Sequence, residues 1–281
     1  NGNLSGHEKV LFQLGFKMKK LLFALPLLAL SACAEVADEP KNVILLIGDG
    51  MGEAEISVTR NYEYDSGPGM FLDTMETKAS AIVISKRNDN AENIAFVGDS
   101  ASGGTALATG ELTSVRRIAT TAQYGAPIKT IAEEAKEKGI KVGLVTTAVI
   151  TDATPASFAS HADDRYCMKA GDSVCTATIV PIIDQMLALD MEVLLGGGYQ
   201  LLPAVKDQGT IQDYALSSGY NIVTDKAGLE KAGGNKLWGI FSDYHLPRPW
   251  IAEDGKPAEK VTVDAEGQVI FPDAQRCIAN P

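Results

Sequence analysis

The chain of 281 residues carries a formal net charge of -11, which opposes nucleic-acid binding, and no basic stripe or aromatic-interleaved cluster offsets it. With 45% apolar and 22% charged residues it has the make-up of a soluble globular fold, not of a disordered chain, and its length allows one sizeable core. No internal repeat or low-complexity linker is present.

Asn1 is not a native start, and Met18-Lys19-Lys20 reads as a better one, so residues 1–17 are expected to be translated upstream sequence. After the two lysines, Leu21 to Leu30 is an apolar run too short to span a bilayer, and small residues follow it. Residues 18–34 therefore read as a secretory signal peptide, because a buried apolar helix would not carry the lysine start or the polar stretch from Glu35 to Lys41. Two processing routes fit. Ala32-Cys33-Ala34 suits signal cleavage, and Leu30-Ser31-Ala32-Cys33 resembles a bacterial lipoprotein box that would make Cys33 the lipidated first residue. The expected product is exported, periplasmic or an outer-membrane lipoprotein, with Cys33 as the sole membrane anchor.

Residues 41–281 read as one domain. Asn42-Val43-Ile44-Leu45-Leu46-Ile47 is an uninterrupted apolar run that predicts a buried parallel strand, ending in Gly48-Asp49-Gly50-Met51-Gly52. Ligands of open α/β sheets lie beyond the carboxyl ends of strands, which makes Asp49 a candidate metal ligand. An aspartate in a glycine turn is also common for structural reasons. The short β-type run Ile94-Ala95-Phe96-Val97 leads into Gly98-Asp99-Ser100-Ala101-Ser102-Gly103 and then the small apolar Thr105 to Thr109, so Ser100 is predicted at a strand-to-helix turn. Unpaired amides at such a helix start favour bound phosphate, and the placement suits a phosphoryl-accepting serine. Asp99 and Ser100 are equally ordinary helix caps.

Amphipathic helices are predicted from Ile128 to Lys138 and from Ile179 to Leu189, on either side of a strand at Val142 to Thr147. This alternation predicts an α/β fold, a mostly parallel central sheet with helices on both faces. Thr151-Asp152-Ala153-Thr154-Pro155 follows that strand. In an extended segment Asp152 and Thr154 would point to the same side and serve one hard cation, directly or through its waters. Arg165 offers a planar fork to phosphate oxygens. The alternatives are that Asp152 or Thr154 caps a helix beginning near Pro155 and that Arg165 pairs with Asp163 or Asp164. From Trp238 onward the pattern loosens into Pro-rich and charged residues.

Taken in this order, the segments around Asp49, Ser100 and Asp152, with Thr105 to Gly110 and Val193 to Gly198, resemble the alkaline phosphatase family over nearly everything from Lys41 onward. The resemblance implies phosphomonoester hydrolysis through a phosphoserine. Ser100 would be the nucleophile and Arg165 the phosphate clamp, with Asp49 bridging a zinc and a magnesium ion and Asp152 and Thr154 belonging to the magnesium site. Ser100 would itself meet a zinc ion. Some relatives carry histidine where this chain has Asp152, so its metal contact would run through water. His161 lies near the matching metal cluster without being assigned as a ligand. Two zinc ions and one magnesium ion, small phosphate monoesters as substrates and a homodimer are the further implications.

Export places the cysteines in an oxidising compartment, where Cys167 and Cys175, separated by a short Gly-containing segment, are expected to form a disulfide, as at the matching place in some relatives. Cys277 has no evident partner. The family takes further zinc ligands and a magnesium-site glutamate from a C-terminal half that is not present, since the three histidines here are His7, His161 and His245. The chain therefore reads as an N-terminal portion with little activity of its own. Two other readings stand beside it, an exported phosphate- or metal-binding module without catalysis and a related hydrolase such as a sulfatase or phosphodiesterase.

Overall fold

The computed structural model describes residues 42–64, 69–123, 125–175, 180–206 and 209–248, and the backbone alone at 250–252, 262–263, 269–270 and 277–279. The segment expected to be a signal peptide, Cys33 and the side chain of Cys277 lie outside the described residues. The chain divides into two units, Asn1–Gly48 and Asp49–Pro281.

In the first unit the run from Asn42 to Ile47, expected as a buried strand, forms none, and Val43, Ile44 and Leu46 are 84%, 84% and 87% exposed. An apolar run is buried only where other elements cover both its faces and pair its backbone, and its own residues cannot supply either.

The second unit opens with α1 (Glu53–Tyr64) and an antiparallel pair of two-residue strands, β1 (Ser85–Lys86) and β2 (Ile94–Ala95). Helices α2 (Ser100–Thr109) and α3 (Ile131–Glu137), strand β3 (Gly143–Val149), and helices α4 (Ala153–Ala159) and α5 (Ile182–Ala188) follow. Then come β4 (Val193–Gly197), the small hairpin β5 (Val205–Lys206) and β6 (Gly209–Thr210), α6 (Ile211–Ser217), β7 (Asn221–Val223), α7 (Lys226–Lys231) and β8 (Leu237–Ile240). Strands β3, β4, β8 and β7 form a four-stranded sheet in that order, every pair parallel. The fold is thus α/β around a parallel sheet.

Register places Leu144, Leu194, Trp238 and Ile222 in one row across the sheet. This row packs with Ile182, Ile183 and Met186 of α5 and with Ile211 and Ala215 of α6. On the opposite face the next row begins at Val145, which is 73% exposed. Trp238, where the sequence pattern was expected to loosen, is fully buried in an inner strand. Leu237-Trp238-Gly239-Ile240 is too short to announce a strand by alternation, and pairing on both sides decides it. The run Ile94 to Val97 likewise contributes only a hairpin strand, with Phe96 and Val97 82% and 76% exposed.

The helices predicted at 128–138 and 179–189 are present but shorter, because Thr130 caps α3 and Pro181 precedes α5. The Thr130 hydroxyl accepts the Glu133 N–H at 3.2 Å, and the Glu133 carboxylate accepts the Thr130 N–H at 2.8 Å. Asp99 and Ser102 make the same reciprocal cap on α2, which ends at Gly110 with φ of 76°.

Helices α2 and α4 pack through small buried residues, Ala101, Gly104, Thr105 and Ala108 on one and Ala153, Ala156 and Ser157 on the other. A Cβ on Gly104 would lie 2.8 Å from Ser157 Oγ and 3.0 Å from Ser157 Cβ. The contact is therefore as close as glycine allows. Gly104→Ala should cost about 1–2 kcal/mol in denaturant unfolding, the overpacking exceeding the gain in helix propensity. An unchanged or raised midpoint would show that the helices separate freely.

Candidate active site

The close α2–α4 contact brings the two helix N-termini together, and Ser100 stands at one of them and Thr154 at the other. Both meet Asp49. Ser100 Oγ donates to Asp49 Oδ1 at 3.1 Å and Thr154 Oγ1 donates to Asp49 Oδ2 at 3.0 Å. Asp49 sits in a turn whose next residue, Gly50, has φ of 70°, a conformation that favours glycine. Three segments far apart in sequence thus share one carboxylate.

Arg165 is held from two sides. Its Nη2 donates to Asp152 Oδ1 at 2.7 Å and its Nη1 to Asp99 Oδ2 at 3.2 Å, with the side chain 16% exposed. Its Nε–H is buried without an acceptor among the described residues, so the fork keeps donor capacity beyond the two aspartates. Burial works against the guanidinium charge, but Asp152 and then Asp99 outweigh it and hold Arg165 more firmly protonated than usual. Burial likewise pushes the Asp99 carboxyl up. The N–H groups of Ser102 and Arg116, the Ser102 hydroxyl and Arg165 together bring it below the usual carboxylate range.

Asp152 and Thr154 are not in an extended segment, because Asp152 caps α4, accepting the Ala153 N–H at 2.7 Å, and Thr154 lies in its first turn. The short-range cap wins over continuation of the strand. Asp163 and Asp164, the alternative partners of Arg165, instead pair with Arg117 and Arg116. His161 is engaged at both ring nitrogens, Nδ1 with Ala119 O at 2.8 Å and Nε2 with Glu133 Oε1 at 2.9 Å. Burial raises the Glu133 carboxyl, and the Thr130 N–H and His161 lower it by more.

Two residues at this site were not picked out from sequence in these roles. Asp99, read as a cap, also orients Arg165, and Arg116 donates its backbone N–H to both Asp99 oxygens at 3.2 Å. The Arg165 N–H donates to the Arg116 carbonyl at 2.8 Å. Arg116 has no motif of its own, and only the return of the 114–119 loop to α2, where Thr105 Oγ1 accepts the Ala119 N–H at 2.9 Å, brings it here. The groove between Tyr199, Leu202, Pro203 and Tyr244 includes none of these residues.

Asp49, Ser100 and Thr154 are one carboxylate and two hydroxyls, an oxygen set suited to a hard cation such as magnesium. They do not suit zinc by themselves, which takes nitrogen or sulfur ligands as well. Among the described residues no group of three or more His, Cys, Asp or Glu converges to hold a metal ion.

Cys167 and Cys175 are joined, with S–S 2.00 Å and Cα–Cα 4.9 Å, two residues past Arg165. The Asp164 carbonyl accepts the Cys167 N–H at 3.1 Å, so the crosslinked loop starts from the turn that carries the arginine. Cys175→Ser should lower stability by about 2–3 kcal/mol in non-reducing denaturation. Coincidence of the variant and parent curves would deny the crosslink a stabilising part.

A parallel α/β sheet thus carries a serine, three aspartates and an arginine gathered around two helix N-termini. The alkaline phosphatase family model matches residues 40–264, and the chain belongs to that family. It is 34% identical over 230 residues to streptomycin-6-phosphate phosphatase of Streptomyces griseus, covering 77% of this chain and 51% of that protein. It is 31% identical over 263 residues to alkaline phosphatase of Escherichia coli K12, covering 86% and 54%. A mutant of TAB5 alkaline phosphatase solved with Mg bound superimposes with a TM-score of 0.57 at 30% identity, covering 74% of this chain and 54% of that one. The chain thus spans about half the length of the curated relatives it matches.

Proposed function

We propose that the full-length protein is a metal-dependent phosphomonoesterase of small phosphate esters that works through a phosphoserine at Ser100. The convergence of Ser100 and Thr154 on Asp49 carries this reading. In the first step the Ser100 Oγ–P bond forms as the ester O–P bond breaks, and the alcohol leaves with the electron pair of that bond. Asp49 Oδ1, already accepting the Ser100 hydroxyl, orients Oγ for attack, and the serine proton ends on the departing alcohol oxygen. Arg165 binds two nonbridging oxygens and carries the charge that spreads over them, in a reaction that depends mainly on positioning and electrostatics. Asp99 and Asp152 hold the fork in its plane. In the second step water takes the place of Ser100 on phosphorus and the serine is regenerated.

Magnesium would be held by Asp49 and Thr154, with Asp152 acting on it through water, and when bound it supports the local field. The two expected zinc ions need ligands beyond the described residues. Streptomycin-6-phosphate phosphatase is a relative named for a phosphate ester, which supports small monoesters as the substrate class. The Cys167–Cys175 crosslink supports export into an oxidising compartment. No described helix is long and apolar enough to cross a membrane, and membrane attachment in this proposal is through a lipidated Cys33. A homodimer completes the proposal. The second reading is a phosphate- or metal-binding module without catalysis, which needs only the Arg165 fork and the oxygen set at Asp49.

The test is acid-quenched labelling of the full-length protein with a radiolabelled phosphate monoester, followed by peptide mapping. Label on the Ser100 peptide supports the phosphoserine reading. Phosphate binding without label or turnover supports the module.

A further inference from the structure

We propose that Arg116 is a second anion-binding residue beside Arg165 and selects phosphate monoesters whose alcohol part carries a carboxylate. The proposal rests on the phosphate-site reading above. Arg116 has φ of 72°, a left-handed conformation uncommon for a residue with a side chain. The loop holds it there at both ends, its N–H on Asp99 and its carbonyl receiving the Arg165 N–H. The frame that fixes the inner guanidinium therefore also fixes the backbone from which a second arginine extends. Arg116 and Arg165 both lie against Tyr166, at 4.9 and 5.8 Å from the ring centroid, so one aromatic ring spaces the two cations. Their exposures differ: 16% for the Arg165 side chain and 47% for Arg116. The inner cation faces the phosphate and the outer one faces what the phosphate is attached to.

Asp164 takes one of the five N–H donors of Arg116, at 2.5 Å, which orients the fork and leaves donors for a ligand. With the Asp99, Asp152 and Asp164 side chains paired to these two arginines, a singly charged carboxylate meets less repulsion than a second phosphate would.

The probes are 3-phosphonopropionate and propylphosphonate, which cannot be hydrolysed and differ by the carboxylate, titrated calorimetrically into the full-length protein. The parent protein should bind 3-phosphonopropionate about fivefold to tenfold more tightly. Arg116→Gly, which adopts the observed φ without strain, should bring the ratio to about one, and Arg116→Lys should keep part of it. A ratio near one in the parent, or a preference that survives Arg116→Gly, overturns the proposal. Arg165→Ala should weaken both ligands together. If it leaves propylphosphonate binding intact, the phosphate-site reading fails and this proposal with it. If it weakens both while the ratio ignores Arg116→Gly, this proposal alone fails.

Discussion

Ser100→Ala in the full-length protein should remove the covalent phosphate label altogether and lower turnover of a phosphate monoester by about 10⁴-fold or more. The variant should remain folded. Asp99, not Ser100, caps α2, and the loss at position 100 is one hydrogen bond to Asp49 on the surface, about 1 kcal/mol. Rapid quench followed by intact-mass measurement reads the label, and circular dichroism checks the fold. A label persisting at the same stoichiometry would remove Ser100 as the nucleophile.

Arg165→Ala should weaken inorganic phosphate binding by about 100-fold or more, since two charge-assisted hydrogen bonds to the anion are lost at a half-buried position. Its effect on stability depends on pH, with a sign that follows from Asp99. The folded protein holds this carboxyl below its ordinary value, so its contribution is fully present above a pH of about 4 and is lost as pH falls through the lowered value. Taking Arg165 away removes one of the groups that lower it. The acid unfolding midpoint of Arg165→Ala should therefore move to higher pH. Phosphate titration by calorimetry and acid unfolding followed by tryptophan fluorescence give the two readouts. Unchanged phosphate affinity would count against the clamp.

Much of this site is legible along the chain because each part of it is built locally. Asp49 stands in its glycine turn, Ser100 follows its own cap, Asp152 and Thr154 open α4, and Arg165 precedes the Cys167–Cys175 loop. Each is set by neighbours within a few residues, and turn and cap chemistry acts over that range. The partners of Arg165 are another matter. Asp163 and Asp164 adjoin it in sequence, yet the fork bonds Asp152 and Asp99, which are 13 and 66 residues away. Adjacent residues on a turning loop diverge, whereas two helix starts packed through Gly104 and Ser157 converge.

The sequence by itself determined the family, through the resemblance of its motifs in order, and the α/β class, the helix start at Ser100 and the cysteine pair, through local capping, apolar patterning and a short loop. Tertiary structure alone decided that Trp238 is core and Val145 exposed, that Asp152 faces Arg165, and that Arg116 stands at the site. Those outcomes depend on strand order and on the distance between α2 and α4, and such quantities arise only when segments remote in sequence compete for the same neighbours.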